Sequence, residues 1–165
     1  MFVSEPLGEH HVLEHFDSGV ESLDRWLRQS ARNTDAKRNS RTYVWCAEDT
    51  EVVGYFTLAP HVIGRAELSD KVGRGDLNEI PAILLARLAL DAKHQGQGLG
   101  AELLVDALSR AVGASDRVGG RYVVVDALDE RAGSFYEKYG FVQCVGDGVL
   151  RYTRKVSDIA LSLEP

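Results

Sequence analysis

IPAILLARLALDAKHQGQGLGAELLVDAL, residues 80–108, is the stretch from which the rest of the chain can be read. Its apolar run Ala82–Leu90 has the length of a buried strand. A short polar link leads to Gln95, Gly96, Gln97, Gly98, Leu99 and Gly100, and an amphipathic segment follows. There Leu99, Leu103, Leu104, Ala107, Leu108 and Ala111 recur at helical spacing and leave Glu102, Asp106 and Arg110 on the opposite side. The pattern is strand, glycine loop, helix.

A helix start carries unpaired backbone N–H groups and the positive end of the macrodipole, so it attracts anions. Glycines at 96, 98 and 100 remove the Cβ atoms that would keep a phosphate away from those groups, and they allow positive φ. The Gly-Lys-Ser/Thr ending of a P-loop is absent. The glycine spacing also departs from the dinucleotide fingerprint, and no repeated βαβ pattern precedes it. On the glycines alone, an ordinary strand-to-helix turn remains an equal reading.

Gln95, Gly98 and Gly100 fill the pattern Gln/Arg-x-x-Gly-x-Gly/Ala, and the loop resembles the pyrophosphate loop of the GNAT acetyltransferases. A second element, Phe135-Tyr136-Glu137-Lys138-Tyr139-Gly140-Phe141, resembles the same family further downstream. The opening Phe16-Asp17-Ser18-Gly19, ending in Leu23-Asp24-Arg25-Trp26-Leu27, resembles the toxin branch, whose members acetylate the amino acid carried on charged tRNA and stop translation. The resemblance implies an α+β fold, a single acyl-CoA N-acyltransferase domain over residues 1–156 with one mixed, mostly antiparallel sheet flanked by helices, and a tail over 157–165.

It further implies that acetyl-CoA, as co-substrate, is held by Gln95, Gly96, Gln97, Gly98, Leu99 and Gly100 and by the backbone of Leu88, Ala89 and Leu90. Tyr136 is implied as general acid to the departing sulfur. A small antitoxin with a DNA-binding dimer and a wrapping tail is the implied partner. A GNAT enzyme acting on a small-molecule amine or a protein N-terminus is the alternative, and a homodimer is left open.

Composition bounds these readings. With 165 residues, 44% hydrophobic and 27% charged, the chain has room for one domain with a sizeable core. Cys46 and Cys144 form no paired framework, no apolar run reaches bilayer length, and the N-terminus is not that of a signal peptide, so a cytoplasmic protein is expected. His11 and His15 are four apart but have no third ligand at fixed spacing, so no metal is expected. The net charge of −6 conceals a polarity. Residues 25–41 hold Arg25, Arg28, Arg32, Lys37, Arg38 and Arg41 against Asp35 alone, a segment of +5 in a remainder of −11. A face of this kind can hold a polyanion, and Arg28, Arg32, Lys37, Arg38 and Arg41 are the candidate tRNA contacts; a solvated helix face is the bland alternative. Arg87 interrupts the apolar strand, so it must face a cleft or be paired; a substrate phosphate and a structural salt bridge are both open.

No carboxylate stands out as a general base, since nothing fixes the geometry of Glu79, Asp91 or Asp126. This too bears on the acceptor. A lysine side chain near pKa ~10.4 is almost wholly protonated at neutral pH, whereas an α-amine near ~7.7–8.0 is substantially neutral and needs little base catalysis.

Along the chain, Ser18 and Glu21 have capping-box spacing ahead of a helix with Leu23, Trp26, Leu27 and Ala31 as its buried stripe. Residues 41–47 and 51–60 read as a hairpin turning at Glu48-Asp49-Thr50, with Tyr43, Trp45, Tyr55 and Thr57 on one face and Val44 and Phe56 on the other. Residues 61–79, with Arg65, Lys71 and Arg74, read as a long loop. Residues 121–128 form a strand, and Asp129 caps a helix that stops at Gly140. Residues 141–145 and 149–156 pair across Gly146-Asp147-Gly148. The tail, with Ile159, Leu161 and Leu163 at period two, is left open between a strand, a docking segment and disorder.

Overall fold

The computed structural model describes residues 1–69, 72–146 and 150–165. Lys71, and Asp147 and Gly148 where a turn is expected, with Val149 after them, lie outside the described residues. The strands are β1 (Glu5–Pro6), β2 (Arg41–Ala47), β3 (Glu51–Gly64), β4 (Glu79–Leu90), β5 (Tyr122–Asp126), β6 (Val142–Gln143) and β7 (Arg151–Lys155). The helices are α1 (Glu21–Gln29), α2 (Ala31–Ala36), α3 (Leu99–Val118), α4 (Glu130–Lys138) and α5 (Val156–Leu163). The strands form one seven-stranded sheet in the order β1-β2-β3-β4-β5-β7-β6. The β4–β5 pair is parallel, while β1–β2, β2–β3, β5–β7 and β6–β7 are antiparallel. The mixed sheet expected from the sequence is thereby observed.

The chain divides into two compact units, residues 1–59 with 86–107, and residues 60–85 with 108–165. In the first, Leu13, Phe16, Leu27, Ala31, Val44, Val52, Tyr55 and Ala89 form a core against which Leu7, Leu23, Trp26 and Cys46 pack. The stripe of α1 is therefore as expected, but its cap is not. The N-cap position is Val20, with no side-chain cap bond. Instead Asp24, one turn inside and buried, accepts from the Ser18 backbone N–H at 3.0 Å and from the Ser18 hydroxyl at 2.6 Å. Glu21 stays exposed, because the buried carboxylate takes both Ser18 donors.

The faces of the β2–β3 hairpin also differ from expectation. Val44 lies opposite Tyr55, Thr42 opposite Thr57 and Tyr43 opposite Phe56. Residues directly opposite in an antiparallel pair share a face, so Val44 joins Tyr55 in the core while Tyr43 stacks on Phe56 with centroids 5.3 Å apart. The turn length sets this register, and alternation within either strand cannot reveal it. Strand β3 runs on to Gly64, so the predicted long loop is shorter at its start. Asp106, expected on the open side of α3, accepts from the Ser4 hydroxyl at 2.8 Å and from the Trp45 indole N–H at 2.7 Å.

In the second unit Ile63, Leu68, Ile80, Ala82, Tyr122 and Val124 form the core. The Tyr122 hydroxyl donates to buried Asp76 at 2.6 Å, and the more exposed Arg121 pairs with the same carboxylate, so Asp76 is anchored by two polar bonds. Asp129 caps α4 by accepting from the Ala132 N–H at 2.8 Å, and Gly140 ends it at φ 87°, both as expected. The C-terminal residues form α5, not a strand. Val156 and Ile159 are three apart and both buried, and this spacing outweighs the period-two pattern.

Gly133, within α4, lies flush against Tyr152; a Cβ there would overlap the Tyr152 hydroxyl and approach Cζ to 2.8 Å. Helix propensity favours alanine over glycine by up to ~1 kcal/mol, whereas overpacking costs about 1–3 kcal/mol. Gly133→Ala should therefore destabilise the fold by roughly 1–2 kcal/mol in denaturant unfolding, and adding Tyr152→Phe should recover part of that loss.

Candidate functional site

Strand β4 is built for two tasks. Its ladder with β5 runs from Ala82–Tyr122 to Leu85–Val125, yet β4 continues to Leu90. One edge of Ala86–Leu90 is thus left without a β5 rung, and Leu88, Ala89 and Leu90 lie in it. Past Leu90 the chain is braced. Asp91 donates its N–H to the Val53 carbonyl at 2.8 Å, and its carboxylate accepts from the backbone N–H groups of Asp17 at 3.1 Å and Lys93 at 3.0 Å. The Gln95 side-chain amide donates to the carbonyls of Ser18 at 2.9 Å and Leu90 at 2.8 Å. Its own backbone N–H reaches the Ala92 carbonyl at 3.3 Å. Gln95 therefore positions the loop, with no donor left to offer a ligand.

From this brace the loop opens. Gly96 and Gly98 take φ values of 78° and 81°, which a side chain would strain. A Cβ at 96, 98 or 100 would meet nothing within 4 Å, so no internal packing requires the absence of a side chain. Among the described residues, the backbone N–H groups of Gly96, Gln97, Gly98, Leu99, Gly100 and Ala101 donate to no protein acceptor. They lie at the N-terminus of the 20-residue helix α3, the positive end of its dipole. Unspent amides, open space and positive potential fit a diphosphate.

In the second unit Tyr136 is buried in α4, with its ring edge-on to Phe135 at 5.4 Å and to Phe141 at 5.7 Å. Burial alone pushes its pKa up to about 12, and its hydroxyl has no hydrogen-bond partner among the described residues. Phe135 and Tyr139 are half-buried and pack on each other at 5.1 Å, while Ser134 is exposed.

The basic segment is uneven. Arg25, Lys37, Arg38 and Arg41 are exposed, and Arg38 ends α2 in the left-handed region at φ 60°. Arg28, also exposed, gives one donor to the Phe16 carbonyl at 3.1 Å. Arg32 is half-buried and donates to the carbonyls of Gly8 at 3.2 Å and His11 at 2.6 Å, so it clamps the N-terminal segment. Asp35 accepts from the Thr42 N–H at 3.0 Å. Arg87 has no carboxylate partner among the described residues; its guanidinium carbon lies 4.1 Å from the centroid of the Trp26 ring. The salt-bridge alternative for this residue is not realised. Trp26, read from sequence only as part of a core stripe, is the partner that was missed.

No general base emerges among the three carboxylates singled out. Asp91 is committed to the loop brace, Asp126 is bound by Arg151 at 2.7 and 3.1 Å, and Glu79 is exposed. Glu5, His10 and His11 come together at the N-terminus. However, His11 accepts the Gly8 N–H on Nδ1 at 2.8 Å and turns Nε2 toward Glu5 at 2.7 Å, so its lone pair is already spent. No helix among the described residues is long and apolar enough to cross a membrane.

A profile of the acetyltransferase (GNAT) domain matches residues 39–143. A tRNA-acetylating toxin of Mycobacterium tuberculosis is 42% identical over 126 residues, covering 76% of this chain and 75% of the relative. The solved structure of AtaT complexed with acetyl-methionyl-tRNAfMet superposes with a TM-score of 0.90 at 30% identity, over 99% of this chain and 100% of that one. A tyrosine-to-phenylalanine variant of AtaT, bound to acetyl-CoA and to the C-terminus of the antitoxin AtaR, gives a TM-score of 0.84 at 30% identity over 99% and 98% of the two chains.

Proposed function

The chain belongs to the GNAT acetyltransferase family, and from that premise we propose that it acetylates the α-amine of aminoacyl-tRNA, acting as a translation-blocking toxin neutralised by a small antitoxin. As a GNAT enzyme it is an N-acetyltransferase with acetyl-CoA as co-substrate. The observation that carries the reading is the row of unspent amides from Gly96 to Ala101, in a chain 42% identical to a tRNA-acetylating toxin.

Acetyl-CoA supplies an activated acyl group as its thioester. The Gly96–Ala101 amides hold its diphosphate through charge-assisted hydrogen bonds at the positive end of α3. The main chain of Leu88–Leu90 pairs with its pantetheine arm, and the Tyr136 Oη gives its proton to the departing sulfur. The α-amine needs no dedicated base; of the three carboxylates named, Asp91 and Asp126 are already bound and Glu79 is exposed. Arg28, Lys37, Arg38, Arg41 and Arg87 contact the RNA backbone, while Arg32 holds the N-terminal segment in place.

The pH dependence follows from two groups. Below the acceptor pKa of about 7.7–8.0 the neutral amine, and hence kcat/KM, rises about tenfold per pH unit and then levels. Tyr136, pushed up to about 12 by burial, keeps its proton throughout that range, so no falling limb is expected between roughly pH 8 and 10. Initial rates with charged tRNA measure this, and a fall in that interval would assign the acid to a group of lower pKa.

Mass spectrometry of bulk aminoacyl-tRNA, incubated with the protein and acetyl-CoA, tests the reading. N-acetylated aminoacyl ends are expected. Acetylation confined to small amines or protein N-termini would replace the reading with the alternative one.

A further inference from the structure

Arg87 lies two residues from Ala89 on β4, on the strand face whose Ala89 packs into the core with Leu27 of α1 and Ala31 of α2. Its guanidinium covers Trp26 at 4.1 Å. The same indole stacks on Tyr55 at 6.2 Å with 13° between the planes. Tyr55 is in turn tied down by its hydroxyl, which donates to the Leu23 carbonyl at 2.7 Å, and by the edge of Phe16 at 5.5 Å. Trp26 is therefore a fixed surface.

Arg28, Arg32, Arg121 and Arg151 each spend donors on protein carbonyls or carboxylates. Arg87 spends none among the described residues. Burial lowers its pKa from the usual arginine value, with Tyr55 partly opposing that shift. A half-buried cation of this kind costs free energy unless its charge is used. A carboxylate partner would remove that cost but would also occupy the guanidinium fork. An indole face stabilises the charge through its quadrupole and leaves every N–H free.

The geometry points to Trp26 as the positioning residue that holds Arg87 as a preformed receptor for one backbone phosphate of the acceptor RNA. The inference rests on the aminoacyl-tRNA reading and deepens it. Arg87 immediately precedes Leu88–Leu90 in sequence, so the phosphate it grips lies toward the aminoacyl end of the RNA. The exposed cations of residues 25–41 serve the more distant backbone. The planar fork takes a phosphate bidentately, which a freely rotating arginine would do only after losing side-chain entropy.

Steady-state kinetics of the full-length protein with bulk aminoacyl-tRNA test this. Arg87→Ala and Trp26→Leu should each raise the KM for the tRNA about tenfold, with the KM for acetyl-CoA unchanged. The double variant should be no worse than Arg87→Ala, because Trp26 acts only through Arg87. Arg87→Ala should also flatten the slope of log KM against log salt by about 0.7–0.9, whereas Trp26→Leu, which keeps the charge, should leave it in place. Trp26→Phe retains an aromatic face and should keep most of the affinity. Arg87→Lys keeps the charge without the fork, so it should raise the KM for the tRNA as Arg87→Ala does while leaving the salt slope in place; this pair decides the matter if Trp26→Leu does not fold. Additive effects, an equal rise in the KM for acetyl-CoA, or wild-type KM in Arg87→Ala would overturn the inference while leaving tRNA acetylation intact. A wild-type enzyme inactive on aminoacyl-tRNA would remove both.

Discussion

Tyr136→Phe is expected to lower kcat by about 10²- to 10⁴-fold, the range of a general acid, without weakening acetyl-CoA binding and without unfolding the protein. The last part follows from the surroundings of the hydroxyl. The Tyr136 ring packs against Phe135 and Phe141, and no protein group among the described residues hydrogen-bonds to its hydroxyl. Deleting the hydroxyl therefore orphans no partner, and the variant should be as stable as the parent. Burial pushes the hydroxyl pKa up to about 12, so the proton is present throughout the working pH range. It is drawn on only as charge develops on sulfur, and the hydroxyl acts on the transition state more than on the bound donor. Single-turnover acetylation, paired with a thermal melt and a binding titration, separates these effects. Full turnover by the variant would remove Tyr136 from the reaction.

The elements that were legible in the sequence are those whose signal is local. The strand–loop–helix run from residue 80 was readable because a helical period follows a strand-length apolar run, and because positive φ at Gly96 and Gly98 is a property glycine announces by itself. Asp129 and Gly140 delimited α4 for the same reason. Contacts distant in sequence were not readable. Ser18 and Glu21 have the spacing of a capping box, yet Asp24 lies deeper and captures Ser18. The faces of β2 and β3 depend on register, which a pattern inside one strand does not encode. Arg87 was conspicuous as a charge in an apolar strand, but its choice between a carboxylate and an indole was made by the packing of α1, which brings Trp26 to it. Gln95 matched the loop pattern at the right position, and only the bonds to Ser18 and Leu90 show that it braces the loop.

Gly98→Glu is expected to raise the dissociation constant for acetyl-CoA by about 10²- to 10³-fold, and the reasons divide into strain and charge. Position 98 has φ 81°, where any side chain costs about 1–2 kcal/mol. Nothing lies within 4 Å of the new Cβ, so the free protein meets no clash. A carboxylate ahead of α3 gains about 0.3–1 kcal/mol from the helix dipole, which offsets part of the strain. The fold should thus lose no more than about 1–2 kcal/mol. Binding suffers differently, because the carboxylate occupies the amides intended for the diphosphate and repels it. At about 4 Å and an effective dielectric near 20, like charges cost about 4 kcal/mol. Gly98→Ala carries the strain without the charge, so its dissociation constant should rise far less. Calorimetric titration of both variants, with denaturant unfolding as control, distinguishes the two contributions. If the glutamate variant bound acetyl-CoA as tightly as the parent, the diphosphate would have to lie away from the start of α3, and the amides from Gly96 to Ala101 would have no part in holding it.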